Sequence, residues 1–331
     1  MWSELTESEK LETVKAVIEG LVADGEKVTG RNVGDRVGAA ERTGRAYLRK
    51  LEEISEADPR AEDSFYAFQP RHVDLTEKDQ YTAVILSDMQ CDLQDDDYLS
   101  RVLQLVEDIQ PDKIVSIGDE TDATSIGRWS QGTKLEYESN LQTQLDVTHD
   151  YLRRFREAAP NASFQMCQSN HMLRFSQSIE SRLPGFRSLR ALTPASLLGL
   201  DDLGIVLEEK PFEVFPGVIA CHGHEFGLTS ANQYQKSAQI VARSGVSVCA
   251  GHTHRGMLTS VALGYNFDLE TRFFLGVGCS MDMSQADYIK SRAPEWSHGT
   301  GVLTYNAKTG ITHPELVLAN SKQFYYNGMW Y

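Results

Sequence analysis

Two patterns of hydrophobic positions divide this chain. Up to about residue 57 the apolar residues recur at helical spacing, as Leu11, Val14, Ile18 and Leu21 do, and this predicts helices only. From residue 80 onward, short continuous apolar runs alternate with amphipathic stretches. Such an alternation of buried strands and helices predicts an α/β domain with helices packed on a sheet.

The strands and helices of the larger part are predicted in chain order. Buried strands are expected in YTAVILSD, DKIVSIGD, ASFQMCQSN, FEVFPGVIACHGH and VSVCAGHTH. Helices are expected in YLSRVLQLVEDIQP and LEYESNLQTQLDVTHDYLRRFREAAP, each ended by a proline. From about residue 258 the pattern predicts alternating strands, with turns at 262–266 and 306–310.

The N-terminal part has the pattern of a helix-turn-helix. A short helix over 30–37, a turn at 38–40 and a longer basic helix after it are predicted. Residues 27–50 carry seven Lys or Arg against two Asp or Glu, a local charge of +5. The DNA-binding candidates on the longer helix are Arg42, Arg45 and Arg49. A helical bundle whose basic face contacts a partner or a second copy remains the alternative.

The predicted domains are therefore a helix-turn-helix-like domain over 1–57, a linker over 58–79 and an α/β domain over 80–331. Lys and Arg number 32 against 47 Asp and Glu in 331 residues, a net charge of −15. This charge excludes electrostatic binding of nucleic acid by the chain as a whole. Any such binding would have to use a local basic patch.

Composition and cysteine spacing indicate a reduced, non-membrane protein. The chain contains no apolar run of membrane-spanning length, and its acidic, amphipathic start is not a secretory signal. Five cysteines without a CxxC pair exclude a zinc ribbon and indicate reduced thiols. A cytoplasmic location is therefore expected, and a homo-oligomer stays open.

Polar residues of the metal-ligand type end each of the five predicted strands. These endings are Ser87-Asp88-Met89-Gln90, Gly118-Asp119-Glu120-Thr121-Asp122, Ser169-Asn170-His171, His222-Gly223-His224 and Gly251-His252-Thr253-His254. Ligands of open α/β sheets bind at the carboxyl ends of strands, so the five endings are expected to converge. About seven oxygen and imidazole ligands without a thiolate suit two ions of Mn²⁺, Fe or Zn²⁺.

The motifs SDMQ, GDETD, SNH, CHGH and GHTH resemble, in that order, the motifs of the calcineurin-like metallophosphoesterases, over about residues 80–310. The resemblance implies a four-layer α/β/β/α sandwich and metal-dependent phosphoester hydrolysis. Phage and prophage members are the most similar group, because Gly127-Arg128-Trp129, Arg174 and Arg255 also match. A phage-encoded protein acting in the host cytoplasm is therefore expected.

The resemblance also implies a role for each motif residue. Asp119 would bridge two metal ions, Asp88, Gln90 and His254 would bind the first, and Asn170, His222 and His252 would bind the second. A water or hydroxide between the ions would attack phosphorus. His171 would be the catalytic residue that protonates the leaving oxygen or stabilises the phosphoryl oxygens.

Two positions depart from the family pattern. Gln90 stands where the family usually has histidine, and an amide oxygen is a harder and weaker ligand than imidazole. We therefore expect a labile first site that favours Mn²⁺ or Mg²⁺ over Zn²⁺, with Mn²⁺ as the first choice and Mg²⁺, Fe or Zn²⁺ as alternatives. Ser169 replaces a glycine, which costs little unless the position needs a positive φ.

Four further residues are candidates for contact with substrate or for support of the ligands. They are Asp122, Arg174, His224 and Arg255. Either arginine is suited to bind phosphate, with pairing to local acidic groups as the alternative.

Two enzymatic functions from different substrate classes fit these motifs. The first is a phosphodiesterase or nuclease acting on DNA, supported by the basic helical segment. The second is a phosphodiesterase or phosphatase acting on small or cyclic nucleotides, for which the acidic net charge matters less. A DNA-binding protein with a relict metal site is a third, non-catalytic hypothesis.

Overall fold

A computed structural model of the chain describes residues 2, 5–23, 30–40, 42–44, 46–47, 72–266, 268–285 and 295–331. The chain divides into two compact units, Met1–Phe65 and Tyr66–Tyr331.

The N-terminal unit is helical in its described part. Helix α1 spans Glu7–Ala23 and helix α2 spans Gly30–Val37, the latter with the bounds predicted from sequence. Their core contains the fully buried Val14, Leu21 and Val33. Arg42 lies on an exposed helical stretch, whereas Arg45 and Arg49 lie outside the described residues. DNA binding by this unit therefore stays a prediction.

The larger unit alternates strands and helices. In chain order its elements are β1 Gln80–Leu86, α3 Asp96–Ile109, β2 Lys113–Ser116, α4 Lys134–Glu138, α5 Leu141–Ala158, β3 Ser163–Cys167, α6 Asn170–Arg182, α7 Pro194–Leu197, β4 Ile205–Glu208, β5 Phe212–Phe215, β6 Val218–Cys221, α8 Gln233–Ser244, β7 Ser247–Ala250, β8 Gly256–Tyr265, β9 Asp268–Val277, β10 Gly299–Asn306, β11 Ile311–Leu318, β12 Tyr325–Tyr326 and β13 Met329–Trp330.

Two sheets stack face to face with helices on both outer faces. The first sheet has the order β11-β10-β1-β2-β3-β4 and the second β5-β6-β7-β9-β8. In β1, Ala83 and Ile85 point into the core between the sheets, while Val84 and Leu86 point to the outer core. Helices α3 and α5 cover the outer face of the first sheet, and α8 covers that of the second. The predicted four-layer α/β/β/α fold is confirmed.

Three local predictions need correction. FEVFPGVIACHGH holds two antiparallel strands, β5 and β6, because the chain turns at Gly217 with a φ of 75°. The long helix predicted after residue 134 is two helices, because the Asn140 side chain accepts from Thr143 N at 3.3 Å and begins α5 there. The stretch interpreted as irregular contains β4, which pairs in parallel with β3.

Parallel pairing places the motif-bearing strand ends at one edge of the sandwich. Strands β1, β2 and β3 are parallel neighbours in the first sheet, and β6 and β7 are parallel neighbours in the second. The ligand candidates therefore come from both sheets, although the hydrophobic pattern by itself predicted a single sheet. Among the described residues, no helix is both long and apolar enough to span a bilayer.

Candidate metal centre

Four side chains from three strand ends and a helix start meet at one point. His222 Nε2 lies 2.8 Å from Asn170 Oδ1, 3.3 Å from Asp119 Oδ2 and 3.1 Å from His252 Nδ1. Ligand atoms of Asp119, His222 and His252 all lie within 4.8 Å of one another. These are the residues to which the family resemblance gives the second metal ion, with Asp119 shared between both ions.

The contacts of His222 show why a cation fits here. Its Nδ1 lies 2.8 Å from the carbonyl oxygen of Ile117, which can only accept, so Nδ1 carries a proton. In the neutral ring Nε2 is then a lone-pair donor facing the oxygens of Asp119 and Asn170. Positive charge placed among these acceptors stabilises the cluster.

The pKa shifts express the same requirement. Burial opposes a charged His222 ring, but the Asp119 and Asp88 carboxylates and the Ile117 carbonyl together outweigh burial and raise the pKa of His222 to about 9. Burial likewise opposes ionisation of Asp119, yet His171 and His222 hold the pKa of this carboxyl well below its usual range. A divalent cation held by these atoms satisfies the same need for positive charge.

A second group of ligand candidates adjoins the first through Asp119. Asp88 Oδ1 lies 3.1 Å from His254 Nε2. Gln90 Nε2 lies 3.2 Å from Asp119 Oδ2 and 3.5 Å from His254 Nε2. The structure thus brings together all seven residues that the sequence predicted as ligands, in two groups that share Asp119.

The carboxamide of Gln90 fits a hard cation. Its Oε1 is buried and has no hydrogen-bond partner within the described part of the chain. A half turn of the carboxamide exchanges its two ends and points this oxygen at Asp119 and His254. An amide oxygen between a carboxylate and an imidazole suits Mn²⁺ or Mg²⁺.

The backbone at these ligands is strained. Five of the seven adopt left-handed conformations, namely Asp88 (φ 48°), Gln90 (φ 53°), Asp119 (φ 55°), His252 (φ 69°) and His254 (φ 60°). Each such conformation costs about 1–3 kcal/mol of folding free energy and is maintained only where the surrounding structure imposes it. Concentration of this cost on the ligand set marks a site whose geometry is maintained for function.

Gly118 makes the close approach of two ligand-bearing loops possible. Its φ is 103°, and a Cβ placed there would lie 2.5 Å from His222 Nδ1 and 2.8 Å from Ser169 Cβ. Neither neighbour can withdraw without moving His222 or the start of α6, which carries Asn170.

We therefore expect Gly118→Ala to lower the melting temperature and to abolish the extra stabilisation that Mn²⁺ gives to the wild type. Thermal melts with and without Mn²⁺ measure both effects. Gly132→Ala is the matched control, since Gly132 also has a positive φ, of 69°, but a Cβ there meets nothing within 4 Å. Equal Mn²⁺ stabilisation of both variants would contradict this account of Gly118.

Ser169 fits its position without strain. Its φ is −109°, so the glycine usual in the family is not required for backbone freedom. The Ser169 hydroxyl accepts from Met172 N at 3.2 Å and caps helix α6. This cap fixes the start of the helix that presents Asn170 and His171.

His171 lies beside the ligand atoms. Its Nε2 is 3.6 Å from Asp119 Oδ2 and its Nδ1 is 3.6 Å from Asp122 Oδ1. Burial lowers the pKa of His171 to about 4, so the ring is neutral near pH 7 and still carries one N–H. Burial raises the pKa of Asp122 to about 6. Nε2 of the His171 ring therefore faces Asp119, and Nδ1 faces Asp122.

Arg174, His224 and Arg255 surround the ligands at greater distance. Arg174 Nη1 donates to the carbonyl oxygen of Asp122 at 2.7 Å and so holds the turn that carries this carboxylate. The His224 ring lies 5.4 Å from the His222 ring, centroid to centroid. Arg255 forms an ion pair with Glu295, the arrangement weighed above as the alternative to phosphate binding.

Two residues that the sequence did not single out also contribute. Glu120 is fully buried, and its carboxylate accepts from the Ser116 hydroxyl and from Gly118 N, so it fixes the loop before Asp119. Its place inside the GDETD motif was the available signal. Trp296 packs on His254 with ring centroids 4.3 Å apart, and nothing in the local sequence indicates this long-range contact.

The motifs that resemble those of the calcineurin-like metallophosphoesterases thus lie together at the carboxyl ends of strands from both sheets of a four-layer sandwich. No family model matches the chain. The Gene 54 protein of Mycobacterium phage L5 is 29% identical over 239 residues, which is 71% of this chain and 92% of the phage protein. The Gene 54 protein of Mycobacterium phage D29 is 28% identical over 246 residues, with the same coverage of 71% and 92%. Both relatives are phage proteins, in agreement with the expected phage association.

Solved structures with a similar course of the chain include Vps29 from Chaetomium thermophilum and YfcE, a phosphoesterase from E. coli. Vps29 has a TM-score of 0.35 at 12% identity, covering 72% of this chain and 98% of Vps29. YfcE has a TM-score of 0.31 at 13% identity, covering 72% of this chain and 100% of YfcE. At these scores the similarity does not indicate an activity for this chain.

Proposed function

We propose that this protein is a two-metal phosphoesterase whose first candidate substrate is a phosphodiester of DNA. The observation that carries the proposal is the convergence of acceptor atoms from Asp119, Asn170, His222 and His252 beside the group of Asp88, Gln90 and His254. Seven oxygen and nitrogen ligands that share one carboxylate would suit two divalent ions, the number typical of metal-dependent phosphoryl-transfer sites.

The residues divide the work of the site. Asp119 lies between the two groups and would hold both ions. When bound, the divalent ions supply Lewis acidity that neutralises phosphoryl charge and makes water nucleophilic near neutral pH. The His222 ring is oriented by its bond to Ile117 O, which directs Nε2 into the centre.

His171 would act on the substrate rather than on the metals. Its ring N–H can donate to a phosphoryl or leaving oxygen held at Asp119, where negative charge increases in the transition state. The other ring nitrogen lies 3.6 Å from Asp122 Oδ1.

Gln90 carries the proposed metal preference. We expect the wild type, after dialysis, to regain turnover with Mn²⁺ or Mg²⁺ more than with Zn²⁺, and Gln90→His to raise the affinity for Zn²⁺, because imidazole is the better ligand for zinc. Metal analysis and calorimetric titration measure this. Two tightly held zinc ions in the dialysed wild type would contradict it.

Salt dependence separates the two substrate classes. A nuclease should lose DNA cleavage steeply as salt rises, because binding releases counterions, while hydrolysis of a small chromogenic diester should change little. The assay uses end-labelled DNA and the chromogenic diester in parallel. Hydrolysis of the small diester with DNA left intact would favour the alternative, a phosphodiesterase or phosphatase for small or cyclic nucleotides.

The N-terminal unit is proposed as a separate DNA-binding module of a protein acting in the cytoplasm of a phage host. Arg45→Glu combined with Arg49→Glu is expected to weaken DNA binding and to leave hydrolysis of the chromogenic diester intact. If both activities fall together, the unit is not a separate module.

A further inference from the structure

An exposed strip follows the helix that starts at the metal centre. It comprises residues 182–190, RLPGFRSLR, and is called the 182–190 strip below. Leu183, Phe186 and Leu189 are exposed there, Phe186 with 48% of its surface accessible. Three exposed apolar side chains spaced three residues apart, with arginines beside them, are unusual for a surface without a ligand.

The charge of this strip runs against the rest of the chain. Residues 181–200 contain three arginines, Arg182, Arg187 and Arg190, and no Asp or Glu, in a protein of net charge −15. The Arg187 side chain is 75% exposed and has Glu180 at 3.2 Å on the preceding helix. Arg182 and Arg187 are each paired with a glutamate of a helix, so it is the series of three arginines without an acidic residue between them, and not a net positive charge, that suits a polyanionic ligand.

Helix α6 connects the strip to the metal centre. It begins with Asn170 and His171 and ends at Arg182 after 13 residues, a length of about 20 Å. Arg182 Nη1 bonds Glu136 Oε1 at 2.7 Å and so ties helix α4 to the end of α6. Helix α4 adds Tyr137, which is 79% exposed.

We infer that the 182–190 strip, together with Tyr137, binds single-stranded nucleic acid and leads it along α6 to the metal centre. This inference rests on the proposed function and names the substrate class of the same site. Phe186 and Tyr137 offer rings on which bases stack, and Arg187 reaches phosphates, the combination that single-strand binders use. A second copy of this chain, which is itself acidic with a net charge of −15, is the other occupant that the test has to detect.

The test measures binding of a labelled deoxythymidine oligonucleotide to protein in an Asp119→Asn background, which prevents cleavage. Phe186→Ala and Arg187→Glu are each expected to weaken binding about tenfold, within the range measured for loss of one stacked base. Arg187→Gln should also lower the slope of log affinity against log salt by about 0.7, the value for one phosphate contact on a single strand. Chromogenic diester turnover in the otherwise native protein should be unchanged by all three.

Matched controls carry the same changes on other surfaces. Tyr265→Ala removes an exposed ring at the far end of β8, and Arg243→Glu reverses an exposed charge near the end of α8. Both controls should bind the oligonucleotide as the parent does.

Three outcomes would overturn the inference. In the first, the strip variants bind as tightly as the controls. In the second, they lose oligonucleotide binding and diester turnover together. In the third, sedimentation shows a dimer that Phe186→Ala dissociates. Diester turnover without any oligonucleotide binding would reject the strip and leave the proposed function standing, whereas absence of metal-dependent turnover on every substrate would reject the proposed function itself.

Discussion

Asp119→Asn is expected to lower hydrolysis of a phosphodiester by about a thousandfold or more. The substitution keeps the shape of the side chain but removes the charge that the two ligand groups share, with Oδ2 at 3.3 Å from His222 Nε2 and 3.2 Å from Gln90 Nε2. Loss of that charge weakens the binding of both ions and the electrostatic stabilisation of the transition state. Steady-state turnover with Mn²⁺ and metal analysis of the dialysed protein measure the two effects.

Asp201→Asn is the matched control, because Asp201 is exposed and is not one of the ligand candidates. It should retain wild-type turnover and metal content. Wild-type turnover by Asp119→Asn would show that the carboxylate does not hold the reacting centre.

His171→Ala should separate chemistry from metal binding. We expect turnover to fall by about 10²- to 10⁴-fold, the range for a positioned proton donor, with unchanged metal content. The reason is geometric, since the His171 ring lies 3.6 Å from Asp119 Oδ2 and outside the group of mutually close ligand atoms. His313→Ala, on the exposed surface of β11, is the control.

Two results would contradict this role of His171. Unchanged turnover would favour the non-catalytic hypothesis of a relict site. Loss of metal together with turnover would make His171 a ligand instead of a residue that acts on the substrate.

Much of this fold could be predicted because its strands are buried on both faces. Strand β1 sends Ile85 to the core between the sheets and Leu86 to the outer core, so the consecutive positions 83–86 are all apolar and the run is conspicuous. Strand β4 was missed because it is a short edge strand whose Val206 is exposed, so it lacks that continuous apolar pattern. The hairpin of β5 and β6 was missed because only Pro216-Gly217 interrupts a long apolar run.

The ligand residues could be predicted for a related reason. Each lies within four residues of the end of a strand, and parallel pairing brings these ends together within each sheet. The stacking of the two sheets then joins the two sets. What the sequence does not encode locally is the contact between distant segments. Trp296 reaches His254 from the tail, and Arg255 meets Glu295 through the same stretch. The left-handed backbone conformations of five ligand residues likewise could not be predicted from residue propensities, because tertiary contacts impose them.

The central claim is that the ligand groups joined at Asp119 form a working two-metal phosphoesterase centre. Its most direct test is the rate at which chelator-treated protein hydrolyses a chromogenic phosphodiester before and after addition of Mn²⁺. The account predicts no turnover without metal, restored turnover with Mn²⁺ that rises with a second equivalent, and none in Asp119→Asn. Persistent inactivity with Mn²⁺, Mg²⁺ and Zn²⁺, or equal turnover by Asp119→Asn and the wild type, would contradict it.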